Sequence, residues 1–119
     1  MMKERRNSSR IYPADQLKGK LILSVKGRYQ DVIAVQDASP YGTRVLIDCG
    51  VDKGARVILT YQDESTCLEV LGAVAWSSEF EEDSYLKGSQ LYRVGISFDQ
   101  ENMQQNTLLF LSIICSNSL

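Results

Sequence analysis

The chain has 119 residues, 44% hydrophobic and 24% charged, which suits one globular domain with its own core. Its net charge of −2 lacks the basic excess of a general nucleic-acid binder, so no nucleic acid is expected as a partner. Histidine is absent and the three cysteines (Cys49, Cys67 and Cys115) show no C-x-x-C spacing, so neither a zinc centre nor a closed disulfide set is expected. The thiols read as small buried hydrophobes in a reducing compartment.

Residues 1–14 are polar and charged and read as a flexible arm, because too little apolar surface is present to offset ordering it. Lys3, Arg5, Arg6 and Arg10 against Glu4 make the arm locally positive. No apolar run follows M-M-K-E-R-R, so no secretory leader is expected, and residues 15–119 read as a single domain. Leu21, Leu23 and Val25 alternate with Ile22 and Ser24 at the two-residue period of a strand. Lys26-Gly27-Arg28 reads as a turn and residues 29–36 as the returning strand. Residues 37–42, with Pro40 and Gly42, read as a loop.

A third strand is expected over residues 43–48 and a turn at Asp52-Lys53-Gly54. Residues 56–61 then place Val57, Leu59 and Tyr61 on one face, and residues 62–65 are turn-like. The next strand, residues 66–76, holds Gly72 in its interior, where a bulge or bend is expected. Residues 77–88 read as a polar loop whose acidic run (Glu79, Glu81, Glu82, Asp83) solubilises the chain or attracts the basic arm. A sixth strand over residues 91–98 carries Val94, Ile96 and Phe98 on one face, and Asp99 is expected to cap a helix reaching about Cys115.

Six short strands between turn signals indicate an all-β fold, a six-stranded antiparallel β-barrel with a C-terminal helix over one mouth. The helix tail L-L-F-L-S-I-I-C is apolar around most of its circumference. It should be buried on two sides or offer a contact surface, for a homodimer or another partner. This run is far shorter than the roughly 20 residues that span a bilayer, so no membrane insertion and a cytoplasmic location are expected.

Two motifs carry the chemistry: R-N-S-S-R at residues 6–10, with Arg5 just ahead, and D-A-S-P-Y-G at residues 37–42. Arginine forks donate to phosphate oxygens and to O6 and N7 of guanine, while the Asp37 carboxylate can accept from guanine N1 and N2. By residue usage, both motifs in this order should arise in well under about 1% of random chains. The pair resembles the PilZ domain family, receptor modules for the bacterial messenger cyclic di-GMP. That family carries R-x-x-x-R in an N-terminal arm and D/N-x-S-x-x-G some thirty residues later. Arg6, Arg10, Asp37, Ser39 and Gly42 fill these positions here, and G-A-V-A-W at residues 72–76 and V-G-I-S-F at residues 94–98 look like the family's later strands.

The resemblance implies the same barrel, with Arg6 and Arg10 clamping phosphate and guanine and Asp37 reading the guanine edge. Ser39 would donate to the ligand or tie down its loop. Gly42 would turn with positive φ or let the ligand approach the backbone. A basic residue just before the motif, here Arg5, implies two mutually stacked ligands. Trp76 shares strand parity with Gly72 and Val74, which reads as core or rim; a tryptophan there resembles one near the ligand in some family members. Output would be a conformational change, the arm closing over ligand and presenting a surface to an unidentified downstream protein. No enzyme, cofactor or metal is implied: there is no nucleophile with a base and no G-x-x-x-x-G-K loop. Two alternatives remain, a PilZ-like adaptor that binds only proteins and a small barrel for single-stranded nucleic acid, which the charge disfavours.

Overall fold

Alternating burial decides the strands of this chain. The computed structural model describes residues 12–80 and 90–115. It contains strands β1 (Tyr12–Pro13), β2 (Lys20–Val25), β3 (Arg28–Asp31), β4 (Ala34–Ser39), β5 (Gly42–Ile47), β6 (Arg56–Gln62), β7 (Cys67–Phe80) and β8 (Leu91–Phe98). Short 3₁₀ turns occupy Ala14–Gln16 and Gln100–Asn102, and helix α1 (Met103–Cys115) ends the described chain. Leu21, Leu23 and Val25 of β2 and Val57, Leu59 and Tyr61 of β6 point inward, as their period requires. Truncating a fully buried leucine such as Leu59 to alanine costs about 2–5 kcal/mol at sites of this kind.

All strands belong to one antiparallel sheet in the order β1-β4-β5-β8-β7-β6-β2-β3. Six expected strands become eight for two reasons. Tyr12–Pro13 adds a short strand against β4. The expected strand over residues 29–36 also divides, because it changes partner in its middle. Val32 N–H donates to Leu21 O of β2, while Ile33 N–H donates to Leu46 O of β5. The hydrogen-bonded sheet is open, with β1 and β3 at its edges, and this one continuous segment passes from the β3 edge to β4 beside the other. Barrel describes it only loosely.

Local chemistry fixes the β2–β3 hairpin. Lys26 and Gly27 have φ of 52° and 80°, the pair of positive values that a tight two-residue turn needs to match strand twist. The expected loop at residues 37–42 is mostly strand, because β4 runs to Ser39, β5 starts at Gly42 and only Pro40 and Tyr41 turn. Strand β7 extends beyond the expected end to Phe80, and Glu81, Glu82 and Asp83 lie outside the described residues.

The core joins both halves of the sheet to α1 through Leu109 and Ile113. Asp99 does not cap the helix; its carboxylate accepts from Arg56 Nη2 at 2.6 Å, and its main-chain carbonyl accepts from buried Asn106 Nδ2 at 2.8 Å. One stripe of α1, Asn106, Leu109 and Ile113, is buried, while Leu108 and Leu111 on another face are exposed. The cysteines depart from expectation, since all three are exposed. Cys49 lies in the loop after β5, Cys67 on the outward register of β7 and Cys115 at the end of α1. Among the described residues, no helix is long and apolar enough to cross a membrane.

The β6–β7 turn is built on Asp63. Its Oδ1 accepts from the Ser65 and Thr66 amides at 2.9 and 2.8 Å, and its Oδ2 accepts from the buried Tyr61 hydroxyl at 3.1 Å. The Ser65 amide, with help from Tyr61 and Thr66, holds the Asp63 carboxyl below its ordinary range despite opposition from desolvation. A lowered carboxyl contributes stability above its unfolded pKa, about 3.9, and loses it as pH falls through the folded value. Asp63→Ala should therefore lower the melting temperature at pH 7, with the gap to the parent closing below about pH 4 in a pH-series of thermal melts. A gap that stayed constant down to pH 2 would remove the carboxylate from this account.

Candidate functional site

Side chains two apart on a regular strand share a face, so Asp37 should follow Val35 into the core and Trp76 should follow Val74. Neither does. The register of β4 against β5 shifts between Val35↔Val45 and Asp37↔Arg44, leaving Gln36 as an extra residue. The register of β7 against β8 shifts between Val74↔Ile96 and Trp76↔Gly95, leaving Ala75 as an extra residue. Each bulge turns the next side chain to the opposite face. Val35 and Val74 are buried, whereas Trp76 is 37% exposed and the Asp37 side chain 39% exposed. The expected parity of Trp76 with Val74 is thus overturned by a bulge at Ala75. No register shift falls at Gly72, where it was expected; a Cβ there would meet the Ser97 carbonyl.

The two bulges align one row across four neighbouring strands: Asp37 on β4, Arg44 on β5, Gly95 on β8 and Trp76 on β7. Arg44 donates from Nε at 2.8 Å and from Nη2 to the same Oδ2 of Asp37. A cross-strand ion pair so exposed adds about 0–1 kcal/mol to stability, so its main effect is to fix where the carboxylate points. Trp76 lies against Gly95, since a Cβ on that glycine would run into its indole. The ring therefore rests on bare backbone with part of its surface open to solvent. Two positions along β8, the Arg93 guanidinium stacks over Phe80 at 5.2 Å, and its buried Nε has no hydrogen-bond acceptor among the described residues.

The turn beside this row is stiffened from within. Ser39 Oγ accepts from the Tyr41 amide at 3.0 Å and lies 3.5 Å from Gly42 O, to which it donates. Thr43 Oγ1 donates to Asp37 O at 2.6 Å, and Tyr41 O accepts from the Phe98 amide at 2.9 Å, tying the turn to β8. Gly42 has neither a positive φ nor open space beside it. A Cβ there would strike the Ile96 carbonyl of β8, so the glycine permits close strand approach.

Asp37 and Ser39 on β4, Gly42 on β5 and Trp76 on β7 thus lie on three strands within one four-strand stretch of the sheet, while Arg5, Arg6 and Arg10 lie outside the described residues. Arg44 was not among the residues expected at the site. Its signal was available in the pairing of a two-residue hairpin, which sets Asp37 opposite Arg44 once Ser39 faces Gly42. Two concavities, of about 1030 Å³ beside Lys18 and Asp63 and about 470 Å³ beside Arg28 and Cys49, are not lined by Asp37, Ser39, Gly42 or Trp76. The row is an open face of the sheet, and its claim rests on side-chain chemistry rather than depth.

No protein-family model matches the sequence, and no curated protein matches it either. Among solved structures, the chain is similar to the PilZ domain with c-di-GMP of YcgR from Escherichia coli. The TM-score is 0.59, with 12% sequence identity over 92% of each chain. At that identity the likeness establishes the fold: this chain has the fold of a PilZ domain, a mostly antiparallel sheet with one C-terminal helix.

The seating of Trp76 gives a direct test, because it is the chain's one tryptophan. Gly95→Ala inserts a methyl where the indole lies and should cost about 1–3 kcal/mol. The displaced ring should emit at longer wavelength in the folded protein. Unchanged emission and stability together would show that the indole does not depend on the bare position.

Proposed function

We propose that this chain is a cyclic di-GMP receptor, the ligand lying on the Asp37–Trp76 row beneath the arginine arm. The observation that carries the reading is the register of β1. Tyr12 pairs antiparallel with Val35, so the chain at Tyr12 runs N-terminally toward the Asp37 end of β4. Arg10 stands two residues before Tyr12, within about 7 Å of chain, and Asp37 stands two residues after Val35. This chain direction supports a reading in which the two sequence motifs meet at one end of β4. The fold alone does not carry function, but the bound nucleotide of the similar YcgR domain agrees with the same ligand class.

In this reading Arg6 and Arg10 fork onto phosphate and onto O6 and N7 of guanine, which lysine's point charge would not do. Asp37 accepts from the opposite base edge, Trp76 offers the exposed part of its indole to a purine face, and Arg5 engages a second, stacked ligand. Ser39 and Gly42 act by keeping the turn and strand spacing that hold Asp37 in place. Ordering residues 5–10 costs on the order of 1–2 kcal/mol each, and a hydrogen bond to a charged group returns about 1.5–3 kcal/mol. Several such bonds are needed before binding outweighs ordering, so losing one arginine removes most of the affinity. The closed arm would then expose or hide a surface for a protein partner.

Calorimetric titration of the whole chain should show saturable binding of cyclic di-GMP, ending near two ligands per chain, and none of GTP. Arg6→Ala and Arg10→Ala should each weaken it at least about tenfold, the equivalent of one lost charged hydrogen bond. An endpoint of one would remove the second ligand and the role given to Arg5. No response to cyclic di-GMP, by heat or amide spectrum, would favour an adaptor that binds only proteins.

A further inference from the structure

We infer that Arg44 is a specificity-determining residue of this site, acting with Asp37 as one acceptor–donor couple that distinguishes a guanine edge from an adenine edge. The inference rests on the cyclic di-GMP reading and adds to it a residue outside the R-x-x-x-R and D-x-S-x-x-G positions. Its basis is the arrangement of the pair. Arg44 sends both Nε and Nη2 to one carboxylate oxygen, Oδ2, and Asp37 Oδ1 takes no hydrogen bond among the described residues. A carboxylate that could grip two N–H groups of a base is thus left with one free oxygen. The guanidinium, with five N–H donors, keeps unspent ones beside it.

Acceptor next to donor is a pattern with a defined complement. Guanine presents N1–H beside the C6 carbonyl, so Oδ1 can take the proton while an Arg44 N–H meets O6. Adenine presents the reverse order, an acceptor at N1 beside an amino donor. It would set nitrogen lone pair against carboxylate and N–H against N–H. The row gives room for such a base, because Gly95 follows Arg44 on the next strand with no side chain, and the indole of Trp76 lies low across it. Both members of the couple are well exposed, at 42% for Arg44 and 39% for Asp37, so the pair is reachable from solvent.

The test is competition titration of the full chain with cyclic di-GMP and cyclic di-AMP, in the parent, Arg44→Leu and Arg44→Lys. Lysine retains the charge and loses the fork. Both variants should weaken cyclic di-GMP about tenfold, within the range of one base-edge contact, and leave cyclic di-AMP nearly unchanged, so the guanine-over-adenine ratio falls by about the same factor. Equal weakening of both ligands would mean that Arg44 only supports the fold, and the inference fails. Tighter binding of cyclic di-GMP would mean that Arg44 competes with ligand for Asp37, which overturns it too. Should Arg44→Leu not fold, Arg44→Lys alone decides. A parent chain that binds neither nucleotide brings down the proposed function and this inference with it, whereas a parent that binds, with an unmoved ratio in the variants, brings down this inference alone.

Discussion

The candidate site depends on breaking strict strand alternation at two places. An unbroken β4 would send Asp37 inward behind Val35, and an unbroken β7 would send Trp76 inward behind Val74. Both would be expensive, one as a charge and the other as a bulky ring in a core already filled by aliphatic side chains. Single extra residues at Gln36 and Ala75 prevent this. They also bring a carboxylate and an indole from strands three apart in the sheet into a single row. Bulges of this kind re-aim side chains without changing the strand order.

Glycine completes what the bulges begin. Gly95 is the member of the row that carries no side chain, and the Trp76 ring occupies the place a Cβ would take. Gly42 allows β5 to approach the Ile96 carbonyl, which keeps the Asp37–Arg44 pair at the end of a closely packed hairpin. Ser39, Thr43 and Tyr41 then satisfy the turn's polar groups locally. A carboxylate at such a place has few ways to point. A face of this kind needs little rearrangement to receive a flat, polar ligand.

Much of this fold was legible in the alternation of β2, β6 and β8, where Leu21, Val57 and Val94 begin inward runs whose period is undisturbed. The division of residues 29–36 was not, because no residue within them marks a change of partner; that change follows from how the two halves of the sheet meet. At the candidate site, D-A-S-P-Y-G drew attention to these residues and hid their conformation. Proline and glycine suggested a loop, whereas the glycine's reason is strand spacing. Reading Pro40-Tyr41 as a two-residue turn would have exposed Arg44 as the partner of Asp37. The exposed cysteines escaped for a simpler reason, since composition alone places a thiol by average behaviour and says nothing of its register.

A site split between a firm face and a chain arm divides its energetics in the same way. On the proposed reading the face is organised before ligand arrives: the turn is bonded, the carboxylate is pointed by Arg44, and the indole is seated on Gly95. Little ordering is left to it. The unfavourable part of binding then falls on the arm, whose residues must each surrender about 1–2 kcal/mol of conformational freedom. Substitutions on the face would therefore act mainly on which base is accepted, and substitutions in the arm mainly on how tightly. On the same reading, that separation would let a receptor keep its selectivity while its response threshold is adjusted through the number and spacing of arginines, and ligand-dependent closure of the arm would report occupancy to a partner.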